Sequence, residues 1–476
     1  MSTSESDTIA TTDTAGAPVE NANRKQPFPR GFLDAISTGW AERPELTPSP
    51  RPQVPYTAAR RAAVSAAFPG QRLVLPAGTY KQRSNDTDYP FRAHSAFAHL
   101  TGWASDSVPD SVLVFDPRES GDGHDVTLYL RERADRTTAE FYSDATIGEF
   151  WIGPRPALAG VAGELGLTTA PLEDFAATES DLVLDEDPEL TRVVSELRLV
   201  KDDYEIAQLR LAVEVTARGF DDIVADLPRI IQTPRGERAV EGIFHHRARI
   251  EGNGEGYDTI AASGPHACYL HWTRNDGAVL PGDLILIDAG AEVDSLYTAD
   301  ITRTIPVSGT FSPVQRMIYE TVREAADAAF AAARPGVTFR SVHEAAMRVI
   351  AERVAAWGLL PVTAEEALDA DRGGQHRRYM VHGTSHHLGL DVHDCAQARR
   401  EMYYDGILEP GMVFTIEPGL YFQIDDLTVP EEFRGIGVRI EDDILMTADG
   451  PVNLSAGIPR TADEVEAWVA GRTVTS

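Results

Sequence analysis

The chain has 476 residues, 42% of them apolar and 25% charged, with a formal net charge of −31. That length exceeds one ordinary core, so two domains plus tails are expected. The lack of any run of about 18 apolar residues excludes a helical membrane span, and the acidity excludes a nucleic-acid binder, because phosphate contacts need clustered Lys and Arg.

Residues 1 to about 28 are rich in Ser, Thr and Ala and almost free of large apolar side chains, which predicts disorder. The segment has neither the basic start nor the apolar centre of a secretory signal, and this reads against secretion. A Pro-rich connector follows at 43–56. Residues 57 to about 190 read as a first α/β domain: a short helix at 60–68, a strand within 72–78 stopped by Pro76 and Gly78, and strands at 111–117 and 126–132. No cluster of His and carboxylates with ligand-like spacing occurs there. The expected division is a tail and linker at 1–56, a first domain at 57–192, a second at 193–462 and a C-terminal tail at 463–476. Cys268 and Cys395 are the two cysteines, too few for a disulfide framework and suited to a reducing cytoplasm.

The second domain opens with an amphipathic helix over 195–227, whose Ile206, Leu209, Val213, Phe220, Val224 and Leu227 fall at helical spacing. A second helix is expected from about Glu237 to Ile250. Two strands of a ribbon follow at 284–290 and 297–307. The order then repeats. Ser312 and Pro313 form an N-cap and N1 pair for a helix over 313–333, a helix covers 341–357, and strands follow at 412–419 and 437–446. The two halves share little sequence, but each places two acids on its strand pair: Asp288 and Asp300 in the first, Glu417 and Glu441 in the second. If the halves pack face to face, four carboxylates converge.

Asp288 and Glu417 each end an apolar strand, a costly place for a carboxylate that has neither partner nor cation. Taken singly, Asp288 can accept backbone hydrogen bonds in its Asp-Ala-Gly turn, and Glu417 can cap the Pro-Gly turn after it. Equivalent placement in two half-repeats favours a shared cation site. Five of the thirteen histidines (His376, His382, His386, His387 and His393) lie in one stretch of twenty residues, with Gly383 and Gly389 among them. One metal ligand, one or two substrate-contacting residues and one or two bystanders are expected there, His376 among the bystanders. Four carboxylates and one imidazole form a mostly hard donor set, suited to Mn²⁺ and also to Co²⁺, Zn²⁺ or Fe²⁺. Four carboxylates are too many for one divalent ion, so two ions are expected. No Gly-x-Ser-x-Gly elbow occurs, so covalent catalysis is not suggested.

These segments resemble the pita-bread metallopeptidases and, within them, the Xaa-Pro aminopeptidase (aminopeptidase P) family. The resemblance covers roughly 57–460. LILIDAGAEVDSLYTADITRTIPVSGTFS carries Asp288 and Asp300, VHGTSHHLGLDVHD carries His386, TIEPGLY carries Glu417 and GVRIEDD carries Glu441. SNDTDYPFRAHSAFAHLTGW at 84–103 is similar to the family's first domain, which methionine aminopeptidases lack. The twelve-residue spacing of Asp288 and Asp300 is one longer than in the best-known members, a difference an extra hairpin-loop residue absorbs.

The resemblance implies an α/β (α+β) fold class: an N-terminal creatinase/prolidase-like domain followed by a pita-bread domain with pseudo-twofold half-repeats. It implies Asp288, Asp300, His386, Glu417 and Glu441 as ligands of two divalent ions. It further implies that His271 contacts substrate near the scissile bond, and that His382 and His393 form the proline pocket and stabilise the tetrahedral intermediate. Tyr421 and Arg439 match residues lining the site, and Tyr257 is a pocket residue. Arg439 and Glu441 stand two apart on one expected strand and so share a face; Arg439 then supports the carboxylates or meets substrate. Glu417 is the expected proton acceptor, passing the proton to the proline nitrogen. The implied substrates are peptides with proline second, and the implied assembly is a homodimer or homotetramer. Two rival readings share the fold: a prolidase, restricted to Xaa-Pro dipeptides, and a pita-bread binding module without catalysis.

Overall fold

The computed structural model describes residues 28–43, 48–85 and 87–473. They fall into two units. The smaller comprises 28–43 and 133–156, the larger 48–132 and 157–473. In the smaller unit the helix Arg30–Ile36 presents Phe32 to the edge of Tyr142, at 5.3 Å between ring centroids. Buried Glu149 accepts from the Ala134 amide and pairs with Arg43 at 2.8 Å. The sequence reads this first helix as tail and linker. Phe28, just before it, stacks on Phe32, and Phe28, Phe32 and Ile36 pack against Tyr142 and its neighbours, a segment about a hundred residues away that no local pattern announces. The disorder expected for residues 1–28 lies, but for the last of them, outside the described residues.

The larger unit begins with the helix Val54–Ala67, which starts earlier than expected because Pro55 suits a first helical turn. A five-stranded mixed sheet follows: β1 (Leu73–Pro76), β2 (Val112–Pro117), β3 (His124–Leu130), β4 (Thr168–Pro171) and β5 (Leu182–Val183), in the order β4-β3-β2-β1-β5. Leu73, Leu75, Leu113, Phe115 and Leu128 are buried beneath it.

Two helix pairs and two three-stranded antiparallel sheets form the frame of the rest, with shorter helices and two-stranded ladders between them. The first pair is Asp203–Ile230 and Gly236–Glu251, the second Pro313–Ala332 and Arg340–Ala356. The first sheet has β6 (Ile260–Ser263), β7 (Leu284–Ala289) and β8 (Ile301–Pro306), ordered β8-β7-β6. In the second sheet, β9 (Val413–Ile416) pairs with the later strand Asp442–Thr447, which pairs in turn with Gly450–Asn453. Helix pair and strands thus recur twice, as the half-repeat reading expects.

Three further elements differ from the sequence reading. The helix expected over 195–227 is two, Pro188–Glu196 and Asp203–Ile230, because Asp202 and Glu205 form a capping box that starts a new helix. The strand expected over 437–446 is also two. Ile436–Arg439 pairs with Gly419–Phe422, whereas Asp442–Thr447 pairs with β9, so the chain changes ladder at residues 440–441. The expected C-terminal tail is the helix Ala462–Thr473. Thr461 and Glu464 cap it reciprocally, Val465 and Trp468 are buried, and the Trp468 indole donates to Asp221 at 2.8 Å.

Candidate metal centre

Asp288 lies near the end of β7, opposite Thr302 of β8 and Ile260 of β6, with apolar residues 284–287 buried before it. Asp300 immediately precedes β8. The hairpin between them closes tightly at Gly290, where a Cβ would meet the Ala299 carbonyl oxygen at 1.8 Å and the Tyr257 ring at 2.9 Å. Only glycine lets the two acids and Tyr257 come together. From the second half, Glu417 follows β9 with its amide bonded to the Thr384 carbonyl at 2.8 Å. Glu441 sits in the link where the chain changes ladder, its amide bonded to Thr302 of the other half at 3.1 Å.

The four acids and His386 surround one cavity of about 780 Å³. His386 Nε2 stands 3.2 Å from Asp300, 3.8 Å from Glu417 and 4.0 Å from Glu441. Asp300, His386 and Glu441 each offer a ligand atom within 4.8 Å of the others, the spacing of a cation cradle. The Tyr257 hydroxyl lies 2.7 Å from Asp288 and 2.6 Å from Asp300. Buried Arg439 donates to Asp288, to the Tyr421 hydroxyl at 3.1 Å and to Thr302 at 3.1 Å. Thr302 donates in turn to Glu441 at 2.6 Å, so one threonine joins the guanidinium to a carboxylate.

The electrostatics are those of a site short of positive charge. Burial pushes Glu417 up to about 8, despite opposing His386 and Arg439. Burial and the neighbouring carboxylates hold Glu441 well above the ordinary range. Burial also raises Asp288, against the pull of Arg439. Burial alone would lower His386, but its hydrogen bond to Asp300 and that residue's charge raise it to about 9. A group of buried acids that raise one another is stabilised by a cation, and the donor set of oxygens with one imidazole fits hard or borderline divalent ions.

The other expected residues are placed as follows. His271 and His393 line the cavity, and the His393 ring lies edge-on to His386 at 4.3 Å. His382 lines it too, 3.5 Å from Glu417 and 2.8 Å from the Tyr421 hydroxyl. Burial and Arg439 drop His382 to about 3, which keeps it neutral. Tyr421 stands behind the lining, reaching the site through His382 and Arg439. His376 is outside the lining, and His387 is buried against Phe339 at 4.7 Å.

Sequence reading missed Thr302, Tyr403 and Asp443. Thr302 is two residues from Asp300, the period that keeps side chains on one strand face, so a signal was present. Asp443 accepts from the Asp300 amide at 3.2 Å and stands in the acidic run with Glu441. Tyr403 had no local signal. It lines the cavity from a loop while its hydroxyl accepts from the His387 amide at 3.2 Å.

Two family models match the chain: Metallopeptidase family M24 over residues 207–448, and Aminopeptidase P, N-terminal domain, over residues 57–188. Xaa-Pro aminopeptidase 1 of Streptomyces coelicolor is 52% identical over 461 residues, covering 92% of each chain. Xaa-Pro aminopeptidase of Escherichia coli is 34% identical and covers 87% of this chain and 97% of its own. The solved structure of Pseudomonas aeruginosa aminopeptidase PepP is similar with a TM-score of 0.75 at 32% identity, covering 89% of this chain and 99% of that one.

Proposed function

The chain belongs to metallopeptidase family M24 and, within it, to the Xaa-Pro aminopeptidases; on that premise we propose that its cavity is the centre of a metal-dependent aminopeptidase that hydrolyses the bond between an N-terminal residue and a penultimate proline. The observation that carries this reading is the convergence of Asp288, Asp300, Glu417 and Glu441 on His386 from two half-repeats, with burial raising three of the four acids. We assign these five residues as ligands of two divalent ions, Mn²⁺ by preference, with Co²⁺, Zn²⁺ or Fe²⁺ as substitutes, because hard oxygen donors dominate the set. Ions bound there supply Lewis acidity and lower the pKa of water to the neutral range.

The protein's own groups do the rest. Water adds to the carbonyl carbon of the first residue, and Glu417 takes its proton. As the C–N bond breaks, Glu417 returns that proton to the proline nitrogen, which leaves as a neutral amine. His393 and His271, both lining the cavity, face the carbonyl oxygen where negative charge develops. His382, neutral and tied to Tyr421, shapes the proline pocket. Arg439, itself at the cavity wall, holds Asp288 and Tyr421 in place. Tyr257 donates to Asp288 or Asp300 and fixes their orientation.

The reading includes a homodimer or homotetramer in the cytoplasm. It is supported by exposed Phe150 and Trp151 and by two free, buried cysteines. The deciding assay gives metal-stripped and Mn²⁺-reloaded protein an Xaa-Pro-Xaa tripeptide and an Xaa-Pro dipeptide. Release of the first residue from the tripeptide, only after reloading, is expected. Cleavage confined to the dipeptide refutes the aminopeptidase reading, and full turnover by stripped protein refutes the metal.

A further inference from the structure

The segment 389–394 carries two cavity-lining side chains, Val392 and His393, yet has no regular secondary structure of its own. Its shape is imposed from outside. At its C-terminal end Asp394, fully buried, meets Lys201 at 3.0 Å and Arg198 at 3.1 Å. It also sits where a Cβ on Gly389 would be, at 2.2 Å, so the turn closes on that carboxylate only with glycine at 389. At its other end the grip comes from the N-terminal domain. Ser95 donates to Asp391 at 2.5 Å. Arg92 donates through Nη2 to the Leu390 carbonyl at 2.5 Å and through Nε to Glu292 at 2.7 Å. Arg198 adds a contact to Asp391 at 3.2 Å.

These bonds join parts of the sequence about 300 residues apart, and they end within two or three residues of His393. Glu292 stands on the hairpin between Asp288 and Asp300, so Arg92 ties the His393 turn to the hairpin that carries two of the acids. A guanidinium offers five donors in a rigid fork and can hold a carbonyl and a carboxylate at once, which an ammonium does with much less geometric definition. We infer that Arg92 and Ser95, from the N-terminal domain of the same chain, are positioning residues for the reaction, clamping the 389–394 turn so that His393 is held against His386 at the cavity wall.

This inference rests on the aminopeptidase reading, and it gives the first domain a part in catalysis within its own chain. The test is a double-mutant cycle between Arg92→Ala and His393→Ala, with kcat and KM measured on an Xaa-Pro-Xaa tripeptide and metal content measured on each variant. Misplacing a reacting group by about 1 Å can cost on the order of a hundredfold, so a fall in kcat of about tenfold or more is expected for Arg92→Ala, with unchanged metal content. In the His393→Ala background the same change should cost less than about twofold, because the residue it acts through is gone. Equal losses in both backgrounds overturn the inference. Arg92→Lys should recover only part of the loss. Ser95→Ala removes a single donor and serves if Arg92→Ala does not fold. Hydrogen exchange at residues 389–395 should quicken in either clamp variant, and unchanged exchange there also overturns it. Wild-type protein inactive on the tripeptide would instead refute the aminopeptidase reading, while the exchange measurement would still judge the clamp.

Discussion

Adding a divalent ion to metal-free protein should release protons, and the number follows from the site. Without metal, Glu417 titrates at about 8 and His386 at about 9, so at pH 7 both are mostly protonated. A carboxylate ligand must be ionised and an imidazole ligand neutral. If both residues bind, at least about two protons leave per loaded centre, and Glu441, which burial and its carboxylate neighbours also hold in favour of its protonated form, can only add to that count. Each proton makes the apparent affinity change about tenfold per pH unit, or about 1.4 kcal/mol. Between pH 6 and 7 the overall constant for loading the centre with Mn²⁺ should therefore rise at least about a hundredfold, and the share due to Glu417 and His386 should flatten above about pH 9. Titration calorimetry at pH 7 in two buffers of different ionisation enthalpy counts the protons directly. Release of fewer than one proton, with affinity flat from pH 6 to 8, would refute the assignment of Glu417 and His386 as ligands. A Glu417→Gln variant should bind metal with about one proton fewer, which isolates its share.

Three further outcomes are expected. Tyr257→Phe removes the hydroxyl shared by Asp288 and Asp300, and loss of such support costs about 10–100-fold in metal affinity or activity; metal titration and steady-state rates measure it. Lys201→Met leaves buried Asp394 with Arg198 as its remaining cation and should destabilise the fold by about 3 kcal/mol in urea unfolding. Burial opposes the charge on Asp394, but Lys201 and Arg198 hold its pKa below the ordinary carboxylate range. Its stabilisation is thus present above about pH 4 and lost as pH falls through the folded value, so an acid unfolding series should show Lys201→Met and wild type converging at low pH. Trp468→Ala empties a buried site and breaks the bond to Asp221, costing about 3–5 kcal/mol by thermal or urea unfolding.

Much of the site was legible because its signals are local. A carboxylate closing a run of buried apolar residues, as at Asp288 and Glu417, contradicts burial unless something charged answers it, and that contradiction is visible in one dimension. The helices Pro313–Ala332 and Arg340–Ala356 were legible for the same reason, through caps and apolar spacing. Which of five clustered histidines joins the acids was not a local matter; only the resemblance singled out His386.

The sequence by itself determined the repeat of helix pair and strands, the four acids within it and the histidine-rich segment between. Tertiary structure alone decided how they meet. It split the expected strand 437–446, so that Arg439 reaches the cavity from the end of one ladder and Glu441 from the link to the next, and Thr302 joins them across the half-repeats. It turned the expected tail into a helix by giving Trp468 a partner. It closed the His393 turn with Arg92 and Ser95 from a domain in which the sequence shows no chemistry. The physical reason is the same each time: periodicity and capping act over a few residues, whereas a buried charge or ring is satisfied by whatever the fold brings beside it, at any distance along the chain.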